Sequence, residues 1–318
     1  MRVVSTSSLP IDLAGQVTAR LPGTVVEVPE QWLGVARCDL TTADALVCLL
    51  LDTIDASVIA RAPRLRVIAN CAVGYDNVDV PAATAAGIAV ANTPDVLTEA
   101  TAELTLALMF AAARRLAEGE RELRAGRWAG WRLDHLLGIG LGGKTLGIVG
   151  LGRIGRAVAH KAAALGMRIA YADQAATGEP GWRQFAVDDL FAEADVVSLH
   201  CPLTPETRHL VDAARLARMK PTAILVNTAR GGCVDEAALV DALTAGRIFA
   251  AALDVYASEP EIDPRLLWCP RLVLAPHIGS ATTEARTQMA QLCADAVIDV
   301  LAGRRPPNLV NPEVAIRG

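Results

Sequence analysis

Short apolar runs alternate with longer segments of helical periodicity along the whole chain. This alternation predicts an α/β protein with two domains, each a doubly wound parallel sheet covered by helices on both faces. The predicted strands of the first series are Arg2–Ser5, Thr24–Val28, Ala45–Leu50, Arg66–Ala69 and Ile88–Ala91. Those of the second series, which begins at Lys144, are Thr145–Val149, Arg168–Ala172, Val196–His200, Ala223–Asn227, Phe249–Val255 and Leu272–Ala275.

A helical stretch lies between the two series, from about Thr98 to Arg124, and its residues 102–113 leave almost no polar face. A helix that is apolar on all sides has to be covered on all sides. Two interpretations stay open, a core helix between the domains and a helix that packs in part against a second subunit. A final helix is predicted from Thr282 to Leu301, because Gly303 and the two prolines at 306–307 end it.

Composition and charge narrow the class of protein. At about 150 residues per domain, 318 residues favour two domains. A hydrophobic fraction of 52% and a charged fraction of 20% exclude a disordered chain. The net charge is −5 and no basic block is visible, so we expect neither a nucleic-acid surface nor an anionic-membrane surface. The longest apolar run, 104–113, is about half the ~20 residues that a membrane span requires.

The N-terminus and the cysteines predict a cytoplasmic protein with reduced thiols. The first ten residues lack the basic and apolar regions of a secretory signal. The 7 cysteines are scattered and form no Cys-x-x-Cys pair. This pattern favours neither a disulfide framework nor a metal site.

The strongest local motif is a glycine-rich turn between a predicted strand and a predicted helix. Gly150, Gly152 and Gly155 form Gly-x-Gly-x-x-Gly directly after the apolar strand 145–149. In a dinucleotide-binding turn, the first glycine permits the tight turn, the second lets the backbone approach the pyrophosphate, and the third lets helix and strand pack closely. The phosphates then lie at the positive end of the helix. The motif predicts a dinucleotide site; a packing turn that binds nothing is the alternative.

An acidic residue at the end of the next strand predicts which dinucleotide is bound. Asp173 lies about 20 residues after the first glycine, as the dinucleotide fingerprint requires. A carboxylate there accepts hydrogen bonds from the adenosine ribose hydroxyls and repels a 2′-phosphate. The following Gln174 and Ala175 supply no cation for such a phosphate. We therefore expect NAD(H) rather than NADP(H).

Three ionisable residues follow the ends of predicted strands in the second series. Arg230, Glu259 and His277 follow its fourth, fifth and sixth strands. Reduction of a 2-keto acid needs a cation for the carboxylate and the carbonyl oxygen, which the arginine fork supplies. It also needs a proton donor, and an imidazolium stabilised by a neighbouring carboxylate suits that role. With the glycine motif, the trio predicts keto-acid reduction; a surface ion-pair network is the alternative.

In these motifs and in their order, the chain resembles the D-isomer-specific 2-hydroxyacid dehydrogenases. The resemblance covers nearly the whole chain and rests on 150–155 with Asp173, 200–208, 227–232, 254–260 and 276–280. It implies an NAD-binding Rossmann domain at 98–284, inserted in a flavodoxin-like substrate domain made of 1–97 and 285–318. It also implies a homodimer that forms through the cofactor domain.

The resemblance also implies roles for single residues. Arg230 binds the substrate and polarises its carbonyl, Glu259 supports the histidine, and His277 is the acid/base. The residues implied to border the dinucleotide are Gly150, Gly152, Arg153, Ile154, Gly155, Asp173, Pro202, Thr207, Thr228 and Asp254. Among these, Asp254 is expected near the nicotinamide, and no metal is expected.

The N-terminal half resembles the glyoxylate and hydroxypyruvate reductase branch of this family, on segments 70–79 and 92–103. The resemblance implies that the amides of Val73 and Gly74 hold the substrate carboxylate and that Thr101 reaches the nicotinamide side. We therefore expect an enzyme that reduces a small 2-keto acid, glyoxylate or hydroxypyruvate, to the D-2-hydroxy acid with NADH. His277 is expected to supply the proton.

Two alternatives of the same fold stay open. One is another D-2-hydroxyacid dehydrogenase or a phosphonate dehydrogenase, although phosphonate dehydrogenases carry a lysine where this chain has Val73. The other is a dinucleotide-sensing, corepressor-like interaction protein, which binds NADH but turns over no keto acid. The particular keto acid is also open, because spacing does not place the residues expected to face its C3, which are Leu49, Leu50 and 128–137.

Overall fold

The computed structural model describes residues 1–175 and 179–316. The chain forms two compact units, one of residues 1–97 with 280–318 and the other of residues 98–279. The strands of the first unit are β1 (Arg2–Ser5), β2 (Val25–Glu27), β3 (Ala45–Cys48), β4 (Val67–Asn70) and β5 (Ala89–Ala91). Those of the second unit are β6 (Thr145–Val149), β7 (Arg168–Ala172), β8 (Arg183–Gln184), β9 (Val196–Leu199), β10 (Ile224–Asn227), β11 (Ala250–Leu253) and β12 (Leu272–Leu274).

Helices connect the strands in both units. In the first unit they are α1 (Leu13–Arg20), α2 (Ala56–Ala60), α3 (Val80–Ala85) and α11 (Thr283–Leu301). In the second unit they are α4 (Thr98–Ala113), α5 (Leu116–Arg124), α6 (Arg153–Ala164), α7 (Val187–Glu193), α8 (Ala213–Arg218), α9 (Glu236–Thr244) and α10 (Pro264–Leu267). Short 3₁₀ helices lie at Val35–Arg37 and Gly231–Cys233.

The strand order of each sheet is that of a doubly wound fold. The five-stranded sheet has the order β2-β1-β3-β4-β5 and the seven-stranded sheet the order β12-β11-β10-β9-β6-β7-β8. Neighbouring strands pair in parallel in both sheets. The first order is flavodoxin-like and the second contains the Rossmann order. The predicted fold class is therefore confirmed.

Alternate residues of each strand enter two separate cores, one on each face of the sheet. In β3 and β4, Leu46 and Ile68 face one core, whereas Val47 and Val67 face the other, which α11 covers. The seven-stranded sheet divides its strand residues in the same way. Apart from the edge strands β2 and β8, which carry exposed residues, the strands are largely buried on both faces and mostly apolar, as is typical of parallel sheets.

The stretch predicted as one helix over Thr98–Arg124 is two helices. α4 ends at Ala113 and α5 begins at Leu116, because Arg115 adopts a left-handed φ of 54°. α4 packs against α6 and β11 within the second unit, whereas α5 has no buried residue. The interpretation as a core helix therefore applies to α4 and is wrong for α5.

The final helix matches its prediction, because α11 begins at Thr283 with Thr282 as its N-cap. The hydroxyl of Thr282 accepts the N–H of Ala285 and so satisfies a free amide of the first turn. Among the described residues, no helix is both long enough and apolar enough to cross a membrane. Within the same part of the chain, no group of three or more His, Cys, Asp or Glu residues could hold a metal ion.

Candidate active site

The candidate residues of the second unit lie along one edge of its sheet, where the parallel strands end. We call this the carboxyl edge. The residues that follow the strand ends are Gly150 (β6), Asp173 (β7), His200 (β9), Thr228 (β10), Asp254 (β11) and His277 (β12). β6 and β9 are neighbours in the sheet, and the connections to the strands on either side of this pair run in opposite directions. Ligands of doubly wound proteins bind in the crevice at such a point.

The three glycines of the turn meet three different requirements. Gly150 has a φ of 89°, and a Cβ there would lie 2.7 Å from the backbone nitrogen of Cys201. A Cβ on Gly155 would collide with the carbonyl oxygen of Gly150. Gly152 differs, since a Cβ there would meet no described atom within 4 Å. The first and third glycines therefore build the turn, and the second leaves open space beside it.

This open space lies at the start of α6, which fits an anion. Gly152 is the N-cap of α6, and no side chain of the described residues caps this end. The free N–H groups of the first turn form the positive end of the helix dipole, and they face the open space. Arg153 is exposed and Ile154 is half-buried in the first turn. The turn and the helix together fit the pyrophosphate of a dinucleotide.

Asp173 is held against the glycine turn by backbone amides. Its Oδ2 accepts the N–H of Leu151 at 2.6 Å, and its Oδ1 accepts the N–H of Ala175 at 3.2 Å. Leu151 lies between the first two glycines of the turn, so this bond holds the carboxylate at a fixed position relative to the turn. The side chain is half-buried. The structure therefore places a negative charge directly beside the predicted pyrophosphate site.

The loop that follows β9 is fixed by Thr207. Its hydroxyl donates to the carbonyl oxygen of Pro202 at 2.6 Å and accepts the N–H of Thr204 at 2.7 Å. Pro202 is exposed on this loop, beyond the end of β9 at the carboxyl edge. The two residues implied to border the dinucleotide here are thus in direct contact with each other.

Asp254 anchors the loop after β12. Its two oxygens accept the N–H groups of Ile278 and Gly279, both at 2.7 Å. Burial raises the pKa of the Asp254 carboxyl, and the two amides counteract that shift. The side chain of Thr101 in α4 lies 3.5 Å from the position that a Cβ on Gly279 would take. Thr101, Asp254 and Gly279 therefore lie together at the carboxyl edge.

His277 and Glu259 form a close pair. Nδ1 of His277 lies 2.6 Å from Oε2 of Glu259, and the other carboxylate oxygen accepts the N–H of Tyr256 at 2.8 Å. The two side chains are 26% and 16% exposed, so the pair is sheltered yet open to a ligand. The contact at Nδ1 orients the ring and directs Nε2 away from the carboxylate. The structure thus brings together the predicted acid/base and its predicted support.

Arg230 lies on the loop that follows β10, and this loop touches the segment that carries Glu259. Nη1 of Arg230 donates to the carbonyl oxygen of Ala229 at 2.8 Å, and the side chain is half-buried. A Cβ on Gly231 would collide with the peptide between Tyr256 and Ala257. The backbone after Arg230 is therefore packed directly on the segment before Glu259.

Val73 and Gly74 belong to the first unit, in the loop after β4. Their carbonyl oxygens accept hydrogen bonds from the side chains of Asn92 (2.8 Å) and Asn70 (2.9 Å), respectively. Among the described residues, the two amide N–H groups donate to no acceptor. Two asparagine side chains thus bind the carbonyl groups of the loop, and its amides are available to an anion.

Three residues of the carboxyl edge had not been predicted as part of a site. Asn227 bonds the backbone on both sides of the Ala229–Arg230 peptide. The hydroxyl of Thr105 in α4 lies 2.8 Å from that of Thr228, and the hydroxyl of Tyr256 donates to the carbonyl oxygen of Ala275 at 2.8 Å. In the sequence, each of the three is a polar residue within an apolar run. This pattern does not reveal the hydrogen-bond partner, because tertiary structure sets it.

Comparison with known proteins gives consistent matches over most of the chain. Residues 106–279 match the model of the D-isomer specific 2-hydroxyacid dehydrogenase, NAD binding domain. A glyoxylate reductase from Aeropyrum pernix is 51% identical over 282 residues, which are 86% of this chain and 84% of that protein.

Solved structures match the whole chain. A protein from Thermus thermophilus has a TM-score of 0.91 and 46% identity, covering 98% of this chain and 100% of that one. An NADPH-dependent glyoxylate/hydroxypyruvate reductase from Sinorhizobium meliloti, solved with NADP and malonate, has a TM-score of 0.87 and 32% identity. That match covers 100% of this chain and 98% of the other.

Proposed function

Because the chain belongs to the family of D-isomer-specific 2-hydroxyacid dehydrogenases, we propose that it uses NADH to reduce glyoxylate to glycolate or hydroxypyruvate to D-glycerate. It is an oxidoreductase of this family that uses a nicotinamide dinucleotide. The observation that carries the proposal is the Glu259–His277 pair at 2.6 Å on the carboxyl edge of the dinucleotide-binding unit. The relatives named glyoxylate reductase, at about half identity, favour a short 2-keto acid.

The dinucleotide is held by the second unit. The glycine turn 150–155 and the uncapped start of α6 hold the pyrophosphate, with Arg153 and Ile154 in the first turn. Asp173 holds the adenosine ribose, and Pro202, Thr207 and Thr228 line the same edge. Thr101 and Asp254 lie on the nicotinamide side. When bound, the nicotinamide supplies the hydride.

Arg230 binds the carboxylate and polarises the keto group. Its guanidinium presents parallel N–H donors, which match a carboxylate and an adjacent carbonyl oxygen. The positive charge also stabilises the negative charge that develops on the carbonyl oxygen during reduction. In the first unit, the loop at Val73 and Gly74 keeps two backbone amides that, among the described residues, donate to no acceptor.

His277 donates the proton to the oxygen that the reduction leaves charged. The bond from Nδ1 to Glu259 fixes the ring, so Nε2 is the atom that meets the substrate oxygen. Glu259 also places a negative charge beside the ring that transfers the proton. In the oxidative direction the same nitrogen accepts the proton of the hydroxy acid.

NADH is the proposed electron donor because Asp173 is fixed beside the glycine turn. A carboxylate bound to the Leu151 amide cannot move away from a 2′-phosphate without breaking that bond. The reductase from Sinorhizobium meliloti is NADPH-dependent, so the fold by itself does not imply NADH. The charge at Asp173 is thus the feature that assigns this chain to NADH.

We also propose that the protein is a cytoplasmic homodimer. Large apolar side chains are exposed on α5 and on the following loop; we call residues 116–137 the apolar segment. Its exposed members are Leu116, Leu123, Trp128, Trp131, Leu133 and Leu137. A contiguous stretch of this kind marks a protein–protein surface. A second copy of this chain is the proposed partner.

Steady-state assays with a panel of keto acids test the proposal. Glyoxylate and hydroxypyruvate should be reduced with kcat on the order of 1–10³ s⁻¹, faster than pyruvate or phenylpyruvate, and hydroxypyruvate should yield the D product on chiral chromatography. His277→Ala should lower kcat by about 10²–10⁴-fold and still bind NADH. Binding of NADH without turnover of any keto acid would instead favour an interaction protein.

A further inference from the structure

Asn227 is the last residue of β10 and is fully buried at the carboxyl edge. Its Oδ1 accepts the N–H of Ala229 at 3.0 Å, and its Nδ2 donates to the carbonyl oxygen of Arg230 at 2.9 Å. One side chain therefore bonds the backbone on both sides of the Ala229–Arg230 peptide. These partners also fix the orientation of the amide, because Ala229 offers a donor and Arg230 an acceptor.

The same loop has two further anchors, and both act on Arg230's neighbours. The hydroxyl of Thr228 lies 2.8 Å from that of Thr105 in α4. Gly231 packs against the Tyr256–Ala257 peptide so closely that a Cβ would collide with it. The bond from Asn227 differs, because it ends on the carbonyl oxygen of Arg230 itself, which within the loop also accepts the N–H of Cys233 at 3.2 Å. It therefore fixes the Cα from which the guanidinium extends.

We propose that Asn227 is a positioning residue for Arg230: its carboxamide holds the backbone from which the substrate-binding guanidinium extends. This inference rests on the proposed role of Arg230. A guanidinium that must meet a carboxylate and a carbonyl oxygen at once tolerates little displacement. A misplacement of about 1 Å at such a site can cost on the order of 10²-fold in rate.

Asn227→Asp tests the proposal with almost no change in volume. The carboxylate can still accept the N–H of Ala229 but offers no donor to the carbonyl of Arg230. We expect kcat/KM for glyoxylate and hydroxypyruvate to fall by about 10–10²-fold, with the larger part in KM for the keto acid. The Kd for NADH, measured by fluorescence, should change by less than about threefold. Asn227→Ser, which removes the clamp without adding a charge, should lower kcat/KM in the same direction.

Asn311→Asp is the matched control. Asn311 is buried in the first unit and forms the same kind of clamp: Oδ1 accepts the N–H of Val90 at 2.7 Å, and Nδ2 donates to the carbonyl of Ile88 at 2.9 Å. Its replacement should lower the melting temperature, as we also expect for Asn227→Asp, because both remove a bond from a buried side chain to the backbone. It should leave kcat/KM within about twofold of the wild-type value, since no residue of the proposed site is held by it.

A double-mutant cycle with Arg230→Ala decides whether Asn227 acts through the arginine. If it does, Asn227→Asp should lower kcat/KM by less than about twofold in the Arg230→Ala background, and the loss should be non-additive. An equal loss in both backgrounds, or an unchanged kcat/KM in the single variant, would overturn the proposal. A different result would contradict the proposed function itself: either Arg230→Ala alone would retain the wild-type kcat/KM, or the wild type would reduce no keto acid.

Discussion

At the scale of single residues, the proposed preference for NADH depends on the charge of Asp173. Asp173→Asn removes the charge and keeps an oxygen that can accept the Leu151 amide. We expect the ratio of kcat/KM with NADPH to that with NADH to rise by at least about tenfold, because the repulsion of the 2′-phosphate is lost. Steady-state kinetics with both cofactors at a fixed keto-acid concentration measure this ratio.

Asp195 provides the control for this change. Its carboxylate also accepts a backbone amide of the second unit, that of Thr145 at 2.8 Å, but at the start of β6 instead of the carboxyl edge. Asp195→Asn should therefore leave the NADPH-to-NADH ratio unchanged. An equal ratio in wild type and Asp173→Asn would show that Asp173 only holds the glycine turn.

Glu259 acts through His277, and its substitution separates charge from geometry. In Glu259→Gln an oxygen remains for the Tyr256 amide, but the negative charge next to Nδ1 is lost. We expect kcat for the keto acid to fall by about 10–10²-fold, since the protonated imidazole loses its stabilising partner. The Kd for NADH should not change. Glu261→Gln, an exposed carboxylate of the same loop, is the control and should retain wild-type kcat.

Single residues show which parts of the site can be predicted from the sequence. Gly150, Asp173, Glu259 and His277 could be predicted because parallel strands end at one edge, which brings distant residues together. The partners that hold these residues could not. In the sequence, Asn227 is a single polar residue at the end of an apolar strand. Its bond to the Arg230 carbonyl depends on a loop conformation that no local pattern specifies.

At the scale of elements, we expect the histidine at the end of β9 to make the free energy of unfolding depend on pH. His200 is half-buried there beside the hydroxyl of Ser198, and desolvation of its imidazole lowers its pKa from 6.5 to about 4. The folded protein therefore keeps this imidazole neutral at a pH where the unfolded chain binds a proton. The stabilisation is fully present above pH 6.5 and is lost progressively as the pH falls toward 4.

Urea unfolding at pH 7 and pH 5 measures this effect. The free energy of unfolding of the wild type should fall between these values, and in His200→Gln it should fall less, by on the order of 1 kcal/mol. His160→Gln is the control, because the His160 side chain is 59% exposed. The assignment is wrong if His200→Gln and wild type lose the same free energy between the two pH values.

The elements themselves follow the hydrophobic pattern closely, with two exceptions. All the predicted strands form, because a strand buried on both faces is a continuous apolar run with few competing interpretations. β8 was not predicted, since it has two exposed residues and pairs only at the edge of the sheet. The break between α4 and α5 was also missed, because arginine is no helix breaker and rarely adopts the left-handed φ that Arg115 has.

At the scale of the whole molecule, the division into two units follows from two series of strands. Each series has its own sheet and its own pair of cores. The return of the C-terminal helix to the first unit is not visible in hydropathy and came only from the family resemblance. α11 belongs there because Cys293, Val297 and Ile298 fill the core beneath β3 and β4.

The proposed homodimer leads to the prediction at the largest scale. Trp131 and Leu133 of the apolar segment are 80% and 81% exposed in one chain, an arrangement that water disfavours unless a partner covers it. The double substitution Trp131→Asp, Leu133→Asp should convert the dimer to monomers in multi-angle light scattering, because a charge at the centre of an apolar contact is not hydrated. Trp268→Asp is the control: Trp268 is 88% exposed but lies outside the segment, after α10. If Trp268→Asp dissociates the protein and the double variant remains dimeric, the interface lies elsewhere on the second unit or on the first.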